Sequence, residues 1–213
     1  MRVACYVDGF NLYHAVAALG DDTLKWLNLA SLAESYVRDG ETLVRTAFFT
    51  ALNDWDAEKR RRHVNFITAQ QAFGVEVITS RFDKVSKYCH KQGRYCPMRE
   101  EKQSDVAIAT EMLSDCYELG LERIVLVTAD SDQIPVVKRI RKTFGSINVY
   151  LVAPPKRLSN ARELGQACSG VTELTAGRIR QHQLPPEIRD GRGKLVASRP
   201  SCYAPHQPMQ KAA

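Results

Sequence analysis

The sequence predicts an α/β fold in which a central parallel sheet is flanked by helices on both faces. Short β-rich runs alternate along the chain with longer helical patterns, which is the order that a parallel sheet with crossover helices requires. The run from Ile124 to Val127 is apolar throughout, as expected of a central strand that is buried on both faces.

The elements follow in order from these patterns. Strands are expected at residues 2–7, 43–51, 75–79, 123–128 and 148–152, and helices near residues 28–38, 54–73, 102–119 and 133–144. A glycine follows each helical pattern, where a helix end favours a residue that can adopt a positive φ; these are Gly40, Gly74, Gly120 and Gly145. Residues 84–99 lie between a strand and a helix and are expected to form a loop.

Composition divides the chain into two parts. A chain of 213 residues with 44% hydrophobic residues can bury one core, and we assign that core to a single domain of residues 1–177. Residues 178–213 are rich in proline and glycine and carry +5 of the net charge of +6, so we expect a basic and mostly disordered tail. No apolar run is long enough to span a bilayer, and Asp8 follows the first apolar run too soon for a signal peptide; we expect a cytoplasmic protein.

Acidic residues follow two of the expected strands. Asp8 comes directly after the first strand, and Asp130 and Asp132 follow the fourth. Ligands of open α/β sheets bind at the carboxyl ends of the strands. Each aspartate alone has an ordinary interpretation as a turn or helix cap, but together they carry more negative charge than a cap needs. Converging carboxylates repel one another unless a cation neutralises them, and oxygen ligands suit Mg²⁺ or Mn²⁺.

A third acidic segment precedes an amphipathic pattern. Glu101 and Asp105 are four residues apart, so a helix that begins here places both on one face. Helix-dipole stabilisation accounts for acidic residues at a helix start. It does not account for Asp105, which is flanked by apolar residues and is a poor helix former away from the cap.

Three segments resemble the sequence blocks of NYN-domain proteins, including the LabA-like branch of the PIN-like nucleases. They are residues 6–12 (YVDGFNL), 101–106 (EKQSDV) and 127–132 (VTADSD), in the order of that family. The resemblance implies a PIN-like, Rossmann-like fold and RNA cleavage with one or two Mg²⁺ or Mn²⁺ ions. It implies that Asp8, Asp105, Asp130 and Asp132 are the catalytic and metal-binding acids, supported by Asn11, Glu101 and Thr128. Gln103 and Ser104 depart from the family pattern, in which a glycine and a small apolar residue are expected.

The predicted loop 84–99 has a composition that suits single-stranded RNA. Cations bind phosphates and aromatic rings stack on unpaired bases, although surface loops are often basic without binding anything. The residues that we predict to bind RNA are Lys84, Lys87, Tyr88, Lys91, Arg94, Tyr95 and Arg99. The same loop holds Cys89, His90 and Cys96, which leaves a zinc site open, but a closed site requires a fourth ligand.

Two other functions compete with an RNA-cleaving hydrolase. A non-catalytic RNA-binding or regulatory module would keep the fold but is expected to have lost one or more aspartates. A metal-dependent phosphatase usually has a second aspartate two residues after the first, where this chain has Phe10. The sequence leaves open whether the protein is a monomer or a homodimer.

Overall fold

The computed structural model describes residues 1–90 and 92–205 and is built around a seven-stranded sheet. The strands are β1 (Arg2–Asp8), β2 (Thr42–Ala51), β3 (Glu76–Cys89), β4 (Arg94–Lys102), β5 (Arg123–Val127), β6 (Asn148–Ala153), β7 (Gly170–Glu173), β8 (Glu187–Arg189) and β9 (Leu195–Ser198). The helices are α1 (Gly9–Ala17), α2 (Leu29–Glu34), α3 (Ala57–Ala72), α4 (Ser104–Glu118), α5 (Ile134–Phe144), α6 (Arg162–Ala167) and α7 (Ala176–Gln181). Short 3₁₀ turns span Asp22–Lys25, Ser131–Gln133 and Ser201–Tyr203.

The strand order of the large sheet is β4-β3-β2-β1-β5-β6-β7. All neighbours pair in parallel except β3 and β4, which are antiparallel. The strand order reverses beside β1. The chain first adds β2, β3 and β4 on one side of β1, and then crosses over to add β5, β6 and β7 on the other side. A crevice opens at such a reversal. The predicted α/β class with a mostly parallel sheet is therefore confirmed.

Both faces of the sheet are covered, and β1 shows why. Its side chains alternate, so that Tyr6 packs into one hydrophobic cluster and Val3 and Val7 into the other. Helices α4, α5 and α6 contribute side chains to the Tyr6 cluster, and α1, α2, α3 and α7 to the Val7 cluster. Every residue of β5 is buried, as the apolar run predicted.

Residues 84–99 form a β-hairpin, so the prediction of a loop is wrong. β3 continues well beyond the edge that pairs with β2 and is then joined only by β4. Most hairpin residues are exposed or half-buried, and such strands lack the apolar alternation by which strands are recognised in sequence. Lys91 lies outside the described residues.

The prediction of a disordered tail is wrong for residues 178–205. This segment completes α7 and adds the β8–β9 hairpin. Its few apolar residues are sufficient because they cover Trp26, which is fully buried against Leu184, Ile188 and Ala197. The Trp26 indole N–H also donates a hydrogen bond of 2.9 Å to the Pro185 carbonyl. Residues 206–213 lie outside the described residues.

Other differences are local. Helices α1 and α6 and strand β7 were not predicted, and all three are nine residues or shorter. Helix α4 begins at Ser104, so Glu101 lies at the end of β4 and not on the same helix as Asp105. Among the described residues no helix is long and apolar enough to cross a membrane.

Candidate functional site

The site begins with Asp8, which ends β1 and caps the N-terminus of α1. One Asp8 oxygen accepts a hydrogen bond from the Asn11 amide at 3.0 Å, and the other accepts one from the Thr128 hydroxyl at 2.8 Å. Gly9 follows in a position where a side chain does not fit, because a Cβ there would lie 2.5 Å from the Phe49 carbonyl oxygen. The chain can therefore turn from strand to helix with the Asp8 carboxylate fixed at the strand end.

One further hydrogen bond ties the loop after β5 to α1, and another lies within the loop. The Asn11 side-chain oxygen accepts one from the Ala129 amide at 3.1 Å, and the Thr128 hydroxyl accepts one from the Asp130 amide at 3.1 Å. Asp130 in turn accepts a hydrogen bond from the Asp132 amide, which starts the 3₁₀ turn before α5. Asn11 and Thr128 thus connect the carboxyl ends of β1 and β5.

Asp105 reaches the site from the first turn of α4. Gln133, which is fully buried, donates from its side-chain nitrogen to an Asp105 carboxylate oxygen and to the Asp105 carbonyl, each at 3.3 Å. Glu101 lines the same cavity as Asp105. Its carboxylate accepts a hydrogen bond from the Ser104 amide at 3.2 Å. Glu101 therefore caps α4 and orients the turn that carries Asp105.

Three of the four predicted catalytic acids line one cavity of about 290 Å³. They are Asp8, Asp105 and Asp130, and Asn11 and Glu101 line it with them. Asp132 is exposed and is not among the lining residues. Arg157 and Asn160 also line the cavity; they come from the loop after β6 and were not identified from the sequence.

The acids repel one another across this cavity. Burial raises the pKa of Asp8 to about 6 against the effect of its two hydrogen bonds, and the charges of Asp105 and Asp130 raise it further. The pKa of Asp105 is raised by burial and then by the charges of Asp130 and Glu101. As the side chains stand, no three histidine, cysteine, aspartate or glutamate groups among the described residues are close enough to hold a metal ion. That statement includes Cys89, His90 and Cys96.

The predicted RNA-binding residues lie on opposite faces of the β3–β4 hairpin. In the register of the two strands, Lys84 pairs with Arg99 and Tyr88 with Tyr95 on the face that also carries Glu101 and Phe82. The residues Lys87 and Arg94 lie on the other face. With Ser86 and Pro97 between them, the pairs of the first group follow one face from Glu101, which lines the acidic cavity, toward the tip of the hairpin.

Comparison with known proteins supports the same reading of the fold. A model of the NYN domain matches residues 2–175. The chain belongs to the NYN domain family. NYN domains are part of the PIN-like nuclease superfamily, so the chain is related to hydrolases that act on nucleic acid. No curated protein matches the chain.

Solved structures add evidence on the fold alone. The chain is similar to a protein of unknown function from Vibrio parahaemolyticus, with 17% identity, a TM-score of 0.53, and coverage of 82% of this chain and 93% of that one. A hypothetical protein from Neisseria gonorrhoeae, solved with bound ppGpp, has 8% identity and covers 72% of this chain and 71% of its own. Its TM-score of 0.22 is too low to support any inference.

Within this NYN domain, the sequence did contain one signal for the missed cavity residues. Arg157 follows Pro154 and Pro155 at the carboxyl end of a third parallel strand, where ligands of such sheets bind. Because no acidic residue stands there, a search for metal-ligating acids passes over this strand end. Arg157 lines the cavity only because the loop after β6 folds over it.

Proposed function

We propose that this NYN domain is a metal-dependent ribonuclease of the LabA-like branch and that it hydrolyses phosphodiester bonds of single-stranded RNA. The observation that carries the proposal is the convergence of Asp8, Asp105 and Asp130 on one cavity at the carboxyl ends of β1 and β5. A structural role for these residues accounts for their hydrogen bonds. It does not account for three carboxylates around a cavity in which two of them have raised pKa values.

The donor set suits Mg²⁺ or Mn²⁺. The lining carboxylates and the Asn11 side-chain oxygen are oxygen ligands, which hard divalent cations prefer. His14 is the one imidazole among the described residues of the lining. We assign Asp8, Asp105 and Asp130 to holding one or two ions, with Asp132 close enough for its charge to raise the pKa of Asp105. A bound divalent ion would supply an activated water and stabilise negative charge on the phosphate.

The protein's own groups orient the acids and the substrate. The Asn11 amide and the Thr128 hydroxyl donate hydrogen bonds to the Asp8 carboxylate, and Gln133 donates one to that of Asp105. The Asp130 carboxylate accepts one from the Asp132 amide. Arg157 is the one cation among the described residues that line the acidic cavity. A guanidinium pairs readily with phosphate oxygens, and we assign Arg157 to binding the scissile phosphate.

The β3–β4 hairpin supports an RNA substrate. Lys84 and Arg99 can contact phosphates on the same face on which Tyr88 and Tyr95 present exposed rings for stacking. The two tyrosine rings pack edge to face with centroids 5.4 Å apart. Because this row starts at Glu101 beside the cavity, it provides a path for a single strand that leaves the site.

A panel of substrates tests the proposed function. We expect the full chain with Mn²⁺ to cleave single-stranded RNA, to leave double-stranded DNA intact, and to release no phosphate from p-nitrophenyl phosphate. Release of phosphate without RNA cleavage would favour the phosphatase alternative. RNA binding without cleavage of any substrate would favour the non-catalytic module. The cytoplasmic location stays a prediction, and so does the choice between a monomer and a homodimer.

A further inference from the structure

A second cavity, of about 350 Å³, lies next to the acidic one. Phe10 and His14, on the first turns of α1, line both cavities. The volume is at the lower end of the range of about 300 to 1,000 Å³ for small-ligand sites. Nothing in the proposed role of the acidic residues makes use of this cavity.

Partly exposed aromatic residues line this second cavity. Trp55 and Tyr13 line the cavity and are each 46% exposed. Phe82 packs its ring against the edge of Trp55, with centroids 4.9 Å apart. The Arg99 guanidinium lies 4.8 Å from the centroid of the Trp55 ring, which joins the cavity to the RNA-facing side of the hairpin. Rings held in this way are suitable for stacking on a planar ligand.

The charged groups that line the cavity are all positive. The cations are Lys25, Lys59, Arg62 and Arg99, and no acidic residue is among the described residues of the wall. The carboxylates that pair with these cations stand outside the wall, namely Asp22, Asp54, Asp56 and Glu58. A ligand in this cavity therefore meets aromatic rings together with cationic groups whose carboxylate partners lie outside the wall.

Polar groups inside the cavity can recognise the edge of a planar ligand. The His63 ring nitrogen Nε2 lies 2.9 Å from the Thr50 hydroxyl. The Asn53 side-chain oxygen is buried and has no hydrogen-bond partner among the described residues. A buried acceptor without a partner is costly, and a ligand with an N–H group can satisfy it.

We propose that this second cavity binds one unstacked base of the single-stranded RNA, with the next phosphate of the strand lying in the acidic cavity. The assignment rests on the proposed function and adds a base-binding subsite to it. Stacking of unpaired bases on aromatic rings beside cations is how proteins commonly hold single-stranded nucleic acid. The subsite would require single-stranded substrate, because a base within a duplex cannot enter it.

Binding measured without metal separates this proposal from catalysis. The full chain is kept in EDTA and titrated against a fluorescein-labelled single-stranded hexaribonucleotide, followed by anisotropy. We expect Trp55→Ala to weaken binding by about 5- to 150-fold, the range given by the loss of one stacked base. Trp55→Phe, which keeps a ring, should stay within about 3-fold of the wild type. Tyr117→Ala, which removes an exposed ring on α4 away from the cavity, is the matched control and should bind as the wild type does.

Two competitors show whether a base is recognised and whether it belongs to a strand. AMP should displace the hexamer and quench the fluorescence of Trp55, whereas ribose 5-phosphate should do neither at the same concentration. Trp26 is fully buried and its emission should not change. AMP should also bind more weakly than the hexamer. Equal displacement by ribose 5-phosphate, or AMP binding as tight as that of the hexamer, overturns the proposal.

Failure of the subsite and failure of the nuclease assignment give different results. If Trp55→Ala binds the hexamer as the wild type does, the base-binding cavity is wrong even when the protein cleaves RNA. If no RNA is cleaved but Trp55→Ala still weakens binding, the nuclease assignment is wrong and the cavity stands.

Discussion

At the scale of single residues, Asp8 combines a structural role with a carboxylate whose charge is disfavoured by burial. It caps α1 and holds the Thr128 hydroxyl, so its carboxylate is fixed without a cation. Burial nevertheless raises its pKa to about 6, which means that the charged form is disfavoured in the folded, metal-free protein. The cost of that charge is a property of the site that can be measured independently of catalysis.

The Asp8→Asn substitution should stabilise the metal-free protein in a pH-dependent way. The pKa of Asp8 in the folded protein lies above the ordinary value for aspartate. The contribution of this residue to the free energy of unfolding is therefore fully present below about pH 4 and is lost as the pH rises through about 6. The asparagine of the variant does not ionise, so the variant does not lose stability in this way. In EDTA, the free energies of unfolding of the two proteins should differ little at pH 4. At pH 7.5 the free energy of unfolding of the variant should exceed that of the wild type by up to about 3 kcal/mol.

Urea unfolding at the two pH values measures this difference. Asp39→Asn, at an exposed loop position, is the matched control and should show no such pH dependence. A variant that is less stable than the wild type by the same amount at both pH values would mean that Asp8 acts through its hydrogen bonds and not through a buried charge.

Gln103 has a backbone conformation that is uncommon for residues other than glycine. The family resemblance led us to expect a glycine here, and the structure has Gln103 at a φ of 83°, in the left-handed region that favours glycine. The sharp turn is needed because β4 ends at Lys102 and α4 begins at Ser104. Gln103 thus adopts the left-handed conformation that a glycine would adopt without strain, and Asp105 follows in the first turn of α4.

At the scale of elements, strand ends were predictable and the hairpin was not. The apolar runs of β1 and β5 are visible in sequence because both strands are buried on both faces, and their acids follow directly. The β3–β4 hairpin is largely exposed, so neither of its faces requires apolar residues at alternate positions. Only the strand register assigns its side chains to one face or the other.

Substitutions on the two hairpin faces should have different effects on RNA binding. Lys84→Ala removes a cation from the face that carries Glu101, and Arg94→Ala removes one from the opposite face. We expect Lys84→Ala to weaken binding of single-stranded RNA and to reduce the slope of log affinity against log salt by about 0.7, because one fewer counterion is released. Arg94→Ala should leave both quantities unchanged.

Titration of single-stranded RNA at 50 and 200 mM salt tests this division. The two variants remove one positive charge each, so a general effect of net charge would weaken both equally. Equal losses for Lys84→Ala and Arg94→Ala would therefore contradict the assignment of the RNA path to one face.

At the scale of the whole molecule, the features that the sequence did not predict depend on packing between residues far apart in the chain. The positions of Asp8 and Asp130 follow from strand order and from the reversal beside β1. Arg157 and the second cavity depend on loops that fold over the carboxyl edge, and no local pattern encodes that contact. The C-terminal segment was misjudged because a few apolar residues are enough to cover Trp26.

The two cavities share α1 as their dividing wall. Asp8 begins this wall on the acidic side, and Phe10 and His14 line both cavities. Hydrolysis and base recognition would thus be placed within a few residues of one another. The hairpin adds a third surface, because Phe82 and Arg99 reach the second cavity from the same face that carries Glu101.

We propose that Asp8, Asp105 and Asp130 hold the divalent ion with which the protein cleaves RNA. The most direct measurement is single-turnover cleavage of saturating single-stranded RNA, with Mn²⁺ or with EDTA, by the wild type, Asp130→Asn and the control Asp39→Asn. Wild type and Asp39→Asn should cleave in Mn²⁺ and be inactive in EDTA, and Asp130→Asn should be slower by at least about 100-fold. Full cleavage by the metal-stripped wild type, or a wild-type rate in Asp130→Asn, would contradict the account.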